Sequence, residues 1–291
     1  MNTIDLALTA LTLGGFYALI SIGLNLQYGV ARILNLAYGE LMMLAAFGTF
    51  WGFALLDFSP FVTLAVGAPI AFGFNYLLFR YLFRPLVRRA PNQGALEINA
   101  ILSTFGLLFV LQGIALVLWG GSDRAYSYLA EPVEILGGVI GQNRLVALIA
   151  ALLIAGVAFA FLEFTKIGRA LRAISSNAGA APLAGIDVER YSAYAFAVGG
   201  VLAGAAGALI SSFINIHPAV GGEYTMKALI VITMGGIGNV AGGLAAGLAL
   251  GLAETLCARF IDPGLVTAVN FGLFIAVLIA RPQGLFGRAA R

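Results

Sequence analysis

The segment 165–192, TKIGRALRAISSNAGAAPLAGIDVERYS, concentrates the side chains best suited to recognising another molecule. On helical spacing from a start at Gly168, Leu171, Ile174 and Ala178 share one face, while Arg169, Arg172 and Ser176 share the other. A guanidinium fork suits the carboxylates and backbone carbonyls of a second protein. Pro182 fits the first turn of another short helical piece, Gly185 its end, and Asp187 the N-cap of a longer helix beyond. Such an element either lies on a membrane surface or docks into a groove on a partner. Residue types alone leave both readings open.

Two acids fall within apolar surroundings, Glu40 and Glu254. An ionisable group inside a bilayer costs roughly 2.5–3.5 kcal/mol on insertion scales, so each is a functional candidate. The plainer readings are also physical. Glu40 would sit in the first turn of a helix, where the dipole favours an acid, and Arg259 is the expected partner of Glu254. Proton-coupled transport would call for more such acids.

Much other chemistry is missing from the sequence. The lysines are Lys166 and Lys227, Gly-Lys does not occur, and a phosphate-cradling P-loop is therefore absent. With His217 the sole histidine and Cys257 the sole cysteine, neither a disulfide within the chain nor a zinc site of ordinary composition can form. No metal and no cofactor of the chain's own is expected, and no G-x-S-x-G elbow is present. The isoelectric point near 9.1 rests on a net charge of +3, too little to suggest a nucleic-acid partner.

The elements that must carry these residues follow from composition. Of 291 residues, 61% are apolar and 10% charged, with mean hydropathy +0.98. Soluble domains carry about 25% charged residues. A hydrocarbon core of about 30 Å needs roughly 20 apolar residues per helix. Apolar runs fall at 4–28, 38–56, 61–83, 98–119, 143–164, 191–214, 226–257 and 264–281. The reading is an all-α polytopic membrane protein of about eight transmembrane helices, forming a single transmembrane domain over 1–291. Continuous apolar runs exclude a transmembrane barrel, and the run 4–28, lacking a basic leader, is read as a retained first helix.

Eleven of the 16 basic residues lie in 80–97, 165–190 and 281–291, whereas the connection 120–142 carries Asp123, Glu131 and Glu134 against Arg124. The positive-inside rule places the three basic segments in the cytoplasm and 120–142 outside. Two ordinary spans after residue 226 would strand the basic tail outside. Gly235, Gly236 and Gly238 resolve this by breaking the run 226–257, leaving a broken or re-entrant half-helix near 226–238. Non-helical backbone at that depth must be buried in protein or line a cavity, so the break is expected to border a translocation route. Gly200-x3-Gly204 and Gly243-x3-Gly247-x3-Gly251 are read as close helix packing.

Five blocks in order resemble the permease subunits, of the shorter H-type, of branched-chain amino acid ABC transporters. They are LTLGGFYALISIGLNLQYGVARILNLAYGELMML, YLFRPL, ILSTFGLLFVLQG, IGRALRAISSNAGAAPLAGIDVERYSAYAFAVGGVLAGAAGAL and MKALIVITMGGIGNVAGGLAAGLALGLAE, before a terminal RPQGLFG. The resemblance implies a multi-pass subunit of the bacterial inner membrane, without its own ATPase site. Its partners would be a second permease, two cytosolic ATPases that bind the ATP, an external solute-binding protein and membrane lipid. It also implies that Gly168, Arg169, Ala170, Arg172, Ala173, Leu183, Gly185 and Ile186 form the loop that seats on the ATPase.

Asn35, Gly39 and Glu40 match the family's first block, and Tyr38 departs from it where histidine is usual. That departure leads us to expect Tyr38 to aim its hydroxyl at a lumen and influence which solute passes. Pathway candidates are Asn25, Asn35, Tyr38, Gly39, Glu40, Asn99, Thr104, Gln112, Gly235 and Gly236. For the polar members the competing reading is an interhelical hydrogen bond, worth about 0.6 kcal/mol on average. The competing functional class is a self-sufficient carrier or channel for a small polar solute such as urea or a short amide.

Overall fold

A computed structural model describes residues 3–135, 138–281 and 283–286. Arg288 and Arg291 of the basic tail lie outside the described residues. Among these residues eight helices are long and apolar enough to cross a membrane.

The first, α1, runs Thr3–Ala31 and α2 runs Tyr38–Leu56. Ser59 caps α3 (Pro60–Leu78), with Pro60 in its first turn. This helix continues through a π-helical turn at Phe79–Phe83 into α4 (Arg84–Arg89), so the span reaches six residues past the predicted end at 83. Asn92 caps α5 (Gln93–Trp119). A two-stranded antiparallel hairpin, β1 (Pro132–Ile135) and β2 (Gly138–Gly141), pairs Val133 with Ile140. Then follow α6 (Gln142–Phe164), α7 (Lys166–Ser176), a 3-10 turn at Ala181–Ala184 and α8 (Val188–Ile210). The run predicted at 226–257 is two helices, α9 (Val220–Gly235) and α10 (Val240–Phe260). A 3-10 turn at Pro263–Leu265 leads into α11 (Val266–Ala280).

Small residues set the centre of the bundle. Helix α1 packs against both α8 and α10, and all three carry many buried positions. Helix α10 runs antiparallel to α1, since Gly247 faces Ala18 and Gly251 faces Gly14 at backbone distance. No side chain larger than hydrogen fits between those backbones, which is the close packing expected from the Gly-x3-Gly pattern. By contrast α3, α5 and α11 turn large apolar side chains outward, among them Ile70, Leu102, Val117 and Ile279. In lipid such a face costs nothing, because acyl chains are as apolar as leucine.

The two ends of the bundle differ in chemistry. At one end Arg124 and Ile216 exchange backbone hydrogen bonds of 2.8 Å, and Val139 N donates to Asp5 Oδ1 at 2.7 Å. At the other end Arg84 and Arg88 pair with Glu189 and Arg32 donates to the Ser175 carbonyl. The chain after α11 returns to this same end, where Leu285 N donates to Met234 O at 2.7 Å. All three basic segments therefore gather at one end of the bundle, as far as they are described. Helix α9 accounts for the parity. Its 16 residues, about 24 Å at 1.5 Å per residue, carry the chain from the acidic end to the basic end.

Candidate functional site

Backbone leaves helical geometry at two places inside the bundle, and polar side chains converge on both. The first is 32–37, between α1 and α2. Arg32 reaches α7 at the basic end, yet six residues later the Tyr38 hydroxyl donates to Gly199 O, about halfway along α8. The chain thus turns back into the bundle before α2 begins. Its polar groups are served locally and across helices. Asn35 Oδ1 accepts from Ala37 N, and the Leu34 carbonyl accepts from Thr104 Oγ1 at 3.3 Å. Asn35 Nδ2 donates to Gln27 Oε1 at 3.1 Å, and Gln27 Nε2 donates in turn to Phe196 O. Buried backbone needs such partners, since in lipid no water is available to supply them.

The second break, 236–239, separates α9 from α10. Gly236 and Gly238 have φ of 90° and 81°, a region that side-chain-bearing residues seldom occupy. Asn25 spans the break, accepting from Gly238 N at 2.6 Å and donating to Asn239 O at 3.1 Å. Asn239 then caps α10 through Gly242 N and donates to the Phe286 carbonyl. The predicted interruption at Gly235 and Gly236 is present, and helix α9 begins six residues before the expected Met226.

Two expectations about this region need correction. Tyr38 does not aim at a lumen. It is fully buried and its hydroxyl bonds backbone, because α2 starts midway through the bundle rather than at an open end. Glu254 does not pair with Arg259. Its carboxylate accepts from Tyr17 Oη at 2.6 Å and Asn270 Nδ2 at 2.5 Å, and Lys227 Nζ lies 3.1 Å away. Lys227 also sits 4.9 Å from the Tyr17 ring centroid and 5.4 Å from that of Tyr224. The cluster joins α1, α9, α10 and α11. Sequence reasoning had no means to find it, since its members are up to 237 residues apart.

Glu40 stands beside α9 in a different setting. Gly39 N donates to Thr225 Oγ1 at 2.8 Å, holding the start of α2 against α9. The Glu40 carboxyl then lies over the first turn of α9, and neither oxygen has a hydrogen-bond partner among the described residues. The amide-rich end of a helix favours an acid there. Gly221 makes the approach possible, because a Cβ on it would stand 2.6 Å from the carboxyl carbon.

The remaining pathway candidates lie apart from these breaks. Asn99 is exposed on α5. Gln112 lines a cavity of about 540 Å3 with Asp123 and His217. Farther along the same face of α5, a cavity of about 500 Å3 opens between α5, α9 and α11, lined by Leu36, Phe105, Glu223, Thr225, Lys227 and Phe271 among others. Glu223 and Lys227 stand one helical turn apart on α9, a spacing visible in the sequence that carried no weight there.

At the basic end, Thr165 accepts from Gly168 N and caps α7, which therefore starts at Lys166 rather than Gly168. The helix ends at Ser176, so Ala178 is not part of its apolar face. That face is not free for a membrane or a groove either. Leu171 and Ile174 are buried with Leu26, Val30, Leu162 and Ala195 of the chain's own core. Gly168 and Ala170 are buried, while Arg169, Arg172, Ala173, Leu183 and Gly185 are exposed and Ile186 is half-buried. Arg172 pairs with Glu163 at 2.5 Å. Gly185 closes the 3-10 turn at φ 73°, and Asp187 accepts from Arg190 N to cap α8, both as the sequence implied.

Apolar outer helices, a polar interior broken at two places and a basic end carrying a rigid surface helix define a multi-pass membrane transport subunit. The family described as branched-chain amino acid transport system, permease component, matches residues 6–279, and the chain belongs to that family. It is 31% identical to the high-affinity branched-chain amino acid transport system permease protein LivH of Salmonella typhimurium, over 95% of this chain and 93% of the relative. It is 30% identical to the corresponding protein BraD of Pseudomonas aeruginosa, over 96% and 94%. A third relative, the autoinducer 2 import system permease protein LsrC of an Enterobacter strain, is 30% identical over 79% of this chain and 65% of its own length.

Proposed function

We propose that this chain is one of two membrane-spanning subunits of an ATP-driven importer in the bacterial inner membrane. It takes branched-chain or related apolar amino acids from an external solute-binding protein. Two cytosolic ATPases bind the ATP, the chain itself uses no cofactor, and α7 with the turn after it is the seat for an ATPase.

The observation that carries this reading is the division of labour within 166–186. Leu171 and Ile174 fix α7 to α1, α6 and α8, so force applied to its outer face reaches the bundle. The outer face offers Arg169, Arg172 and Leu183, the last 90% exposed at the tip of a turn. A large apolar side chain held out in water on a rigid turn is a ready contact for a second protein. The relatives named for branched-chain amino acids support the solute class.

The test is reconstitution with the partner subunits in liposomes. Leu183→Glu should abolish ATP-dependent uptake and ATPase co-purification, because a charge replaces an apolar anchor. The variant should insert and purify as wild type, since Leu183 makes little contact with its own chain. Full transport by Leu183→Glu would remove this surface from the ATPase contact. Uptake by the chain alone, without ATPases, would make it a self-sufficient carrier.

A further inference from the structure

The cavity between α5, α9 and α11 holds both signs of charge on apolar walls. Glu223 and Lys227 share one face of α9 at i and i+4, the order in which an acid and a base pair best along a helix. They do not pair. Lys227 turns inward to Tyr17 and Glu254, and Glu223 remains 62% exposed, with His217 Nε2 3.9 Å away. An ammonium group has three N–H donors. The Tyr17 hydroxyl and the Glu254 carboxylate accept two, and Lys227 keeps a quarter of its side chain exposed, so one donor can serve the cavity. The Cβ atoms of the two residues stand about 5–6 Å apart along the helix, with Leu36, Phe105 and Phe271 lining the same cavity. Charges on such a face are costly against lipid, so this face suits water or a polar ligand.

We propose that this cavity seats the zwitterionic head group of an α-amino acid in transit. Glu223 receives the ammonium, Lys227 donates to the carboxylate, and Leu36, Phe105 and Phe271 take the apolar side chain. A zwitterion is net neutral and matches the acid–base pair in sign and order. A urea or short-amide ligand would leave Glu223 without a cation. The inference rests on the proposed importer function and narrows its route to the α5–α9–α11 face.

The experiment uses the complete transporter, with its partner subunits, in liposomes. Met226, half-exposed in the same cavity, is replaced by cysteine in a Cys257→Ser background and labelled with a maleimide, with Ile261→Cys as the control outside the cavity. Protection is measured with L-leucine, with its 2-hydroxy acid counterpart, which lacks the ammonium, and with isoamylamine, which lacks the carboxylate. L-leucine alone should slow labelling at position 226. Glu223→Gln should raise the leucine concentration needed by about tenfold, the loss expected for one charge-assisted contact, and Glu223→Asp should recover part of it. Equal protection by the 2-hydroxy acid, or unchanged protection in Glu223→Gln, would overturn the assignment. Uptake of leucine without any protection at position 226 would overturn it too, while leaving the importer function standing. A complex that imports no apolar amino acid would overturn both.

Discussion

Two buried carboxyl groups, Glu40 and Glu254, lie on either side of α9 and are accommodated in opposite ways. Glu254 is surrounded by side chains that come from three other helices, a phenol, an amide and an ammonium. Glu40 has no hydrogen-bonding side chain at all among the described residues and leans on the first turn of α9, where a glycine leaves room. The first acid depends on chemistry supplied from a distance, the second on shape and on the field of one helix end. One acid acts as a rivet between helices. The other is kept in place by what was left out of the sequence opposite it.

The strongest way to break this comparison is to remove the ammonium. Lys227→Met should cost about 3–5 kcal/mol, because a buried carboxylate is left without its counter-charge. Lys227→Met with Glu254→Gln should recover most of that. Thermal unfolding of purified protein in detergent is the measurement, and equal losses in the single and double variants would show that Lys227 acts by packing alone.

A smaller effect is expected at the other acid. Gly221→Ala puts a methyl group against the Glu40 carboxyl and should cost about 1–3 kcal/mol, the range for overfilling a packed site. Glu40→Ala in the same chain should relieve it. An unaffected melting temperature in Gly221→Ala would mean that Glu40 swings aside freely.

The smallest change sharpens the role of the polar groups around Glu40. Tyr38→Phe removes one hydrogen bond to the Gly199 carbonyl and should cost about 0.6 kcal/mol. The set of solutes imported should stay the same, since the hydroxyl is sealed inside the bundle. Altered solute preference in uptake assays would return Tyr38 to the pathway.

What could be read in advance divides along the same line. Gly185 and Asp187 cap elements within a few residues of themselves, so their roles follow from neighbours in the sequence. The Thr165 cap is equally local, yet a start read at Gly168 passes over it. The interruption at Gly236 is local too, and the positive-inside rule needs only a count of arginines. The turn-back at 32–37 was missed because it looks like an ordinary connection until Tyr38 is seen to start α2 at mid-bundle. Glu40 against Gly221, Lys227 against Glu254 and Gln27 beneath Asn35 all depend on which helices become neighbours. Periodicity carries no such information, least of all where every face of a helix is apolar. The buried face of α7 was misassigned for a related reason: an amphipathic pattern reports that something apolar covers the helix, without reporting that the cover is its own chain.

The return of the chain to the α9–α10 break has a consequence for assembly. Phe286 O accepts a hydrogen bond from Asn239 Nδ2, 47 residues earlier, and Leu285 N donates to Met234 O. Both α10 and α11 must cross before those residues can arrive. While the protein is being made, the break therefore lacks these contacts until both helices have been synthesised. Asn25 and the Asn239 cap are the groups already at hand to hold it. The order of membrane insertion is written into the joint: the clasp is threaded from the far side of two further crossings, and it fastens only when they are complete.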